Sequence, residues 1–142
     1  MPIKSRLDWI DKMAFEVELN GHKFIIDSDD PKFGGKDRGP RPKPLLLVAL
    51  AGCTGMDVVS ILKKMKVQNF KFHLDTSADS TDVHPKYYHT IRLDYVFEGE
   101  NLPIAKIKKA VSLSEDRYCG VSKMLKESST LINRIIINGE VV

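Results

Sequence analysis

The feature that most restricts this chain is the run LLLVALAGCTGMDVVSILKKMK over residues 45–66, the strongest helical signal in the sequence. Its first half is apolar on every side, and Lys63, Lys64 and Lys66 mark its far end. The pattern predicts a helix buried all round at its start and reaching water at its finish, which sends it through a core. Residues 27–44, just before it, hold four prolines and three glycines, which forbid regular structure and predict a loop. A long structureless loop in a small chain is usually functional or disordered.

The remaining segments read mainly as strands. Residues 7–10, 14–19 and 23–26 are short and rich in Phe, Ile, Val and Trp. The last two are separated by Asn20-Gly21, which tolerates the positive φ of a tight turn and predicts an antiparallel hairpin. Residues 70–76 and 87–97 alternate apolar with polar positions and predict two half-buried strands joined by the polar stretch SADSTDVHPK. Pro103 pre-sets a second helix with Ile104, Ile107, Ala110 and Val111 on one face. A short helical piece at 121–128 then leads to a final strand at 131–137, closed by Asn138-Gly139. Strands, helix, strands, helix, strand is the order of an α+β fold.

A chain of 142 residues, 42% hydrophobic and 29% charged, has room for one ordinary core, so a single domain over 1–142 is expected. The net charge of +3 is spread over 22 basic and 19 acidic residues without the concentrated stripe that nucleic-acid binding needs. The first residues, MPIKSRLDWIDKM, lack an apolar signal core, and no apolar run comes near the roughly 20 residues that cross a bilayer. A cytoplasmic protein without membrane or nucleic-acid partners is the expectation. The four histidines, His22, His73, His84 and His89, are scattered and never at helical i, i+4 spacing, so no metal site is expected. The glycine-rich loop, GGKDRG, lacks the spacing of a nucleotide-binding loop.

The two cysteines, Cys53 and Cys119, carry what chemistry there is. They are too few for a secreted disulfide framework and lack the spacing of a zinc site, which leaves reactive thiols or inert packing. On a helical wheel Cys53 shares its face with Leu46, Ala49, Leu50, Met56, Asp57 and Ser60, a mostly apolar stripe with one carboxylate a turn away. Burial and a neighbouring negative charge both raise a thiol pKa, so nothing on that face helps Cys53 ionise, and a buried inert cysteine stays an open reading. Cys119 lies near Arg117 at the start of a short helix, and both features favour a thiolate.

The stretch GGKDRGPRPKPLLLVALAGCTGMDVVSILKKMK resembles the OsmC/Ohr family segment in which a glycine-rich loop leads through Gly-Pro-x-Pro into an apolar helix holding the first cysteine. LSEDRYCGVSKML resembles the second-cysteine segment of the same family, commonly Cys-Pro-Val-Ser, with Gly120 in place of proline. The order, the separation and the strand pattern extend the likeness over nearly the whole chain.

The resemblance implies an intertwined homodimer in which antiparallel sheets pack around two long central helices, with active sites at the subunit interface. It further implies reduction of organic hydroperoxides, with Cys53 as the peroxidatic and Cys119 as the resolving cysteine. A dithiol or lipoylated protein would be the reductant, and no metal or organic cofactor takes part.

Three departures stand beside it. Lys43 and Pro44 occupy the place where peroxidase members carry a glutamate that steers an arginine to the thiolate. No residue, Arg6 included, matches that arginine by motif; Arg38 and Arg41 of the loop are the candidates to take its place. Asp57 follows Cys53 by one turn, as in a less characterised branch, and completes the candidate substrate-contacting set. A second function therefore stands beside the first: a noncatalytic, ligand-binding member whose interface pocket holds a small apolar or thiol-bearing molecule.

Overall fold

The computed structural model describes residues 1–142, and the chain divides into two units, Met1–Leu46 and Leu47–Val142. The first unit is a three-stranded antiparallel meander of β1 (Ser5–Asp11), β2 (Ala14–Leu19) and β3 (His22–Ile26). The Asn20-Gly21 hairpin is present as expected, with φ of 52° and 77° at its two central residues and Leu19 paired to His22. Positive φ at both positions is what a two-residue turn needs to follow the twist of its strands.

The segment after β3 is more ordered than its prolines suggested. A 3-10 turn at Pro31–Phe33 is capped by the Asp30 carboxylate, which accepts from the Lys32 N–H. The chain then folds back so that Asp27 N–H donates to Pro40 O and Asp37 N–H to Ser28 O. Glycine is required for this return. A Cβ on Gly39 would stand 1.9 Å from Ile25 O, and one on Gly35 2.4 Å from Ser28 O, so backbone meets backbone where no side chain fits.

In the second unit the long helix forms at its expected place, as α1 (Leu45–Lys64), although its first two residues fall in the first unit. A long antiparallel pair follows, β4 (Lys71–Ser80) and β5 (Tyr88–Glu98). Then come α2 (Ile104–Leu113), a π-helical turn at Ser114–Tyr118, α3 (Gly120–Lys126), β6 (Thr130–Ile137) and the two-residue β7 (Glu140–Val141). The sheet order is β4-β5-β6-β7. The architecture is α+β, with two sheets and three helices.

The expectation of antiparallel sheets needs a correction, because β5 and β6 pair in parallel, from Thr90↔Thr130 to Phe97↔Ile137. The reason is the intervening α2–α3 segment, a crossover that returns the chain to the same end of its neighbour. The stretch expected as a polar connection is also partly strand, since β4 continues through Ser80.

Alternate residues of β5, namely Ile91, Leu93, Tyr95 and Phe97, are buried against Leu50, Val58 and Leu62 of α1 and Ile107, Ala110 and Val111 of α2. Phe72 stacks on Phe97 with ring centroids 4.4 Å apart. Burial all round α1 is not what this single chain provides: Val48 is 65% exposed and Met56 79%. Only one face of the helix meets the second unit's core, so the expectation is corrected to a one-sided burial. One detail of the membrane reading is corrected, the length of the apolar run, but a core helix can be built the same way and no membrane partner follows from it. By length and composition alone α1 is long and apolar enough to cross a bilayer, with a mean hydropathy of 2.1 over its 18-residue window and 28% of that window buried.

Candidate functional site

Cys53 sits midway along α1 and Asp57 one turn later, so the helix itself holds the thiol and the carboxylate on one face. Cys119 comes from a different element. It is the N-cap of α3, set in extended backbone at φ −79° and ψ 104° directly after the π-helical turn, and its thiol accepts from the Ser122 N–H at 3.3 Å. Folding brings the three together, with Cys53 Sγ, Cys119 Sγ and an Asp57 carboxylate oxygen within 4.8 Å of one another. Both cysteines are free, Cys53 half-buried and Cys119 buried.

The electrostatics at Cys53 run in the direction its helical face suggested. Burial pushes its thiol up from the ordinary value of 9.0, and the hydrogen bond with Cys119 and the charges of Cys119 and Asp57 push the same way. Only the Val121 backbone N–H, at the start of α3, pulls it down. Arg117 is directed elsewhere, its guanidinium carbon lying 5.6 Å from the centroid of the Tyr118 ring. That contact is of cation–π type.

Two residues at this site lie beyond the reach of sequence reading. Ser114, fully buried, donates from Oγ to Asp57 Oδ2 at 2.9 Å across 57 positions of chain. Glu115, next to it, has a carboxyl raised by burial, against the opposing pull of Tyr95 and Asn133. Its Oε1, the Tyr95 hydroxyl and Asn133 Oδ1 are all buried. Nothing short of the π-helical turn, which rotates Ser114 and Glu115 inward just before Cys119, announces either. Two cavities flank the pair: one of about 480 Å³ is bounded by Asp57, Ser60, Lys64 and Tyr118, and one of about 250 Å³ by Glu115, Cys119 and Lys123.

The loop arginines belong to a separate network within the first unit. Arg38 bridges Asp27 and Asp11, with Nε donating to Asp27 Oδ2 at 3.2 Å. Arg41 pairs with Asp37 at 2.7 Å, and one of its terminal nitrogens, Nη1, is buried without a hydrogen-bond acceptor. Arg6 is tied to Asp8 on the exposed face of β1.

Two sheets of this order, a long helix carrying one cysteine and a crossover presenting a second beside it make this a dithiol protein of α+β architecture. A family model described as OsmC-like protein matches residues 34–133, from the glycine-rich loop into β6. Protein YhfA of Escherichia coli is 28% identical over 127 residues, covering 89% of this chain and 91% of that protein. Among solved structures, a hypothetical protein from Aquifex aeolicus aligns with a TM-score of 0.85 at 26% identity, covering 99% of this chain and 98% of that one. The organic hydroperoxide resistance protein OhrB of Bacillus subtilis has the same fold, with a TM-score of 0.63 at 13% identity, covering 95% and 98%. The chain belongs to the OsmC-like protein family.

Proposed function

We propose that the chain reduces organic hydroperoxides as a cytoplasmic homodimer, its 142 residues acting as one OsmC-like domain. Cys53 would serve as the peroxidatic thiol and Cys119 as the resolving one. The observation that carries this reading is the approach of two free thiols from separate elements to within 4.8 Å of each other. In the first step the Cys53 thiolate attacks the peroxide O–O bond, forming a sulfenic acid and releasing the alcohol once the leaving oxygen takes up a proton. In the second, Cys119 attacks that sulfenic sulfur, giving a disulfide and water. A dithiol such as a lipoylated protein then returns two electrons to the disulfide by exchange. The sulfurs already lie within 4.8 Å of each other and must close to about 2.05 Å for the disulfide. Free cysteines fit a reducing compartment such as the cytoplasm.

The test is peroxide consumption by the reduced protein with a dithiol reductant, followed by mass spectrometry. The expected product has lost two hydrogens per chain and yields one peptide pair joining Cys53 to Cys119. Persistent free thiols under peroxide sink the mechanism.

A second reading is favoured by specific observations. Lys43 and Pro44 stand directly before α1 in place of a carboxylate, Arg38 and Arg41 are held by aspartates of their own unit, and Cys53 is pushed toward its neutral form. These suit a noncatalytic member that binds a small apolar or thiol-bearing molecule beside the cysteines. The same assay separates the two: binding without turnover selects the second.

A further inference from the structure

No histidine approaches ligand spacing, yet folding assembles a donor set that the sequence order conceals. We propose that the reduced chain binds one zinc ion through Cys53 Sγ, Cys119 Sγ and the carboxylate of Asp57. The three donor atoms already lie within 4.8 Å of one another. Zinc bonds of about 2.3 Å to sulfur and about 2.1 Å to oxygen give tetrahedral donor–donor edges of roughly 3.5–3.8 Å. Closure therefore asks for about an ångström of side-chain adjustment, and the backbone can stay where it is. Cys53 and Asp57 are one turn apart on a 20-residue helix, and Cys119 is held at the N-cap of α3 by the Ser122 N–H on its sulfur.

The donor chemistry selects the metal. Two thiolates and one carboxylate suit zinc, whereas calcium and magnesium prefer sets made entirely of oxygen. Three protein ligands leave a fourth position for water, the pattern of zinc sites that are not closed. The carboxylate has the outer support such ligands usually receive, because Ser114 Oγ donates to Asp57 Oδ2 at 2.9 Å and no side chain in the structure occupies Oδ1. One consequence rests on the peroxidase reading: the zinc complex and the Cys53–Cys119 disulfide use the same sulfur atoms, so each excludes the other.

Cobalt(II) is the probe, because zinc is spectroscopically silent. The reduced full-length protein, titrated without oxygen, is expected to take up one cobalt per chain, with a sulfur-to-cobalt charge-transfer band and tetrahedral d–d bands that zinc bleaches stoichiometrically. Cys53→Ser and Cys119→Ser should each lower the charge-transfer intensity by about half, one of two thiolates being lost. Ser114→Ala should weaken affinity by roughly 10- to 100-fold and Asp57→Asn by at least as much, both with the charge-transfer band retained. Wild-type protein with both thiols blocked by N-ethylmaleimide should show no band, a control that does not depend on how a variant folds. Absence of the band in reduced wild-type protein overturns the proposal, as does a spectrum unchanged in Cys53→Ser or an affinity unchanged in Asp57→Asn. No peroxide enters this measurement. A chain that binds cobalt but consumes no peroxide keeps the zinc site and ends the peroxidase reading, and the converse result does the reverse.

Discussion

Asp57 contributes a negative charge one helical turn from a thiol that burial already holds in its neutral form. Replacing it with asparagine removes that charge, so the Cys53 pKa should fall, and more thiolate should be present at any pH below it. Because the charge is the smallest of the influences on Cys53, the expected gain is modest, about 2- to 5-fold in the rate of alkylation near neutral pH. Alkylation at Cys53 that stays slow and indifferent to Asp57→Asn, while Cys119 reacts readily, would remove Cys53 from the role of nucleophile. The two thiols should also differ under substitution. Cys53→Ser should abolish peroxide consumption, whereas Cys119→Ser should allow one stoichiometric turnover and leave a sulfenic acid on Cys53 that dimedone traps. Much of this site was legible from the sequence, since Cys53 and Asp57 are neighbours by helical spacing alone. The approach of Cys119 was implied only by family resemblance, and the Ser114 hydrogen bond by nothing, because a contact across 57 positions leaves no local periodicity.

Helices and strands were read well where one period runs uninterrupted, as in α1, β2 and β5, and poorly where pairing depends on what comes between. The parallel pairing of β5 with β6 is set by the crossover, and β7 is too short to carry a pattern. The loop before α1 was read as a loop, but what holds it was not legible, for a related reason: one buried side chain gathers it. Asp27 accepts from the N–H groups of Ser28, Lys36 and Arg38 and from Arg38 Nε, a set of donors that gathers the glycine-rich segment. Burial alone would raise its carboxyl, but those hydrogen bonds, led by the Arg38 N–H, hold it below the ordinary 3.8. A carboxylate depressed on folding adds stability that is fully present above 3.8 and is lost as pH falls through the lower, folded value. Amide protection over residues 27–44, measured against the intrinsic exchange rate at each pH, should therefore fall on acidification below about pH 3.8, and in Asp27→Asn it should be low already at neutral pH. Exchange that is unchanged in the variant would show that the loop is ordered by its backbone alone. In the second unit, Leu62→Ala opens a cavity between α1 and β5 and should cost about 2–5 kcal/mol by denaturant unfolding. A loss under about 1 kcal/mol would mean that the core collapses onto the space.

At the scale of the whole molecule, the number of apolar side chains left in water is the quantity to explain. In the first unit Trp9 is 65% exposed, and Leu7, Ile10 and Met13 are exposed with it; in the second, Val48, Met56 and Val59 line an uncovered face of α1. Burying a side chain of this size is worth about 1.5–3 kcal/mol, so a chain that leaves this many uncovered gives up much of its potential stability. A second copy supplies matching surface without any further gene product, and a twofold arrangement would present the same face from both sides. Sedimentation at micromolar concentration should accordingly give a dimer, with a melting temperature that rises with protein concentration. Val48→Asp combined with Met56→Glu, two changes at exposed positions of α1, should shift the population toward monomer and lower the melting temperature. A wild-type chain that sediments as a monodisperse monomer, or a double variant that remains as dimeric as its parent, would mean that α1 is not covered by a second copy, and the homodimer would have to be given up.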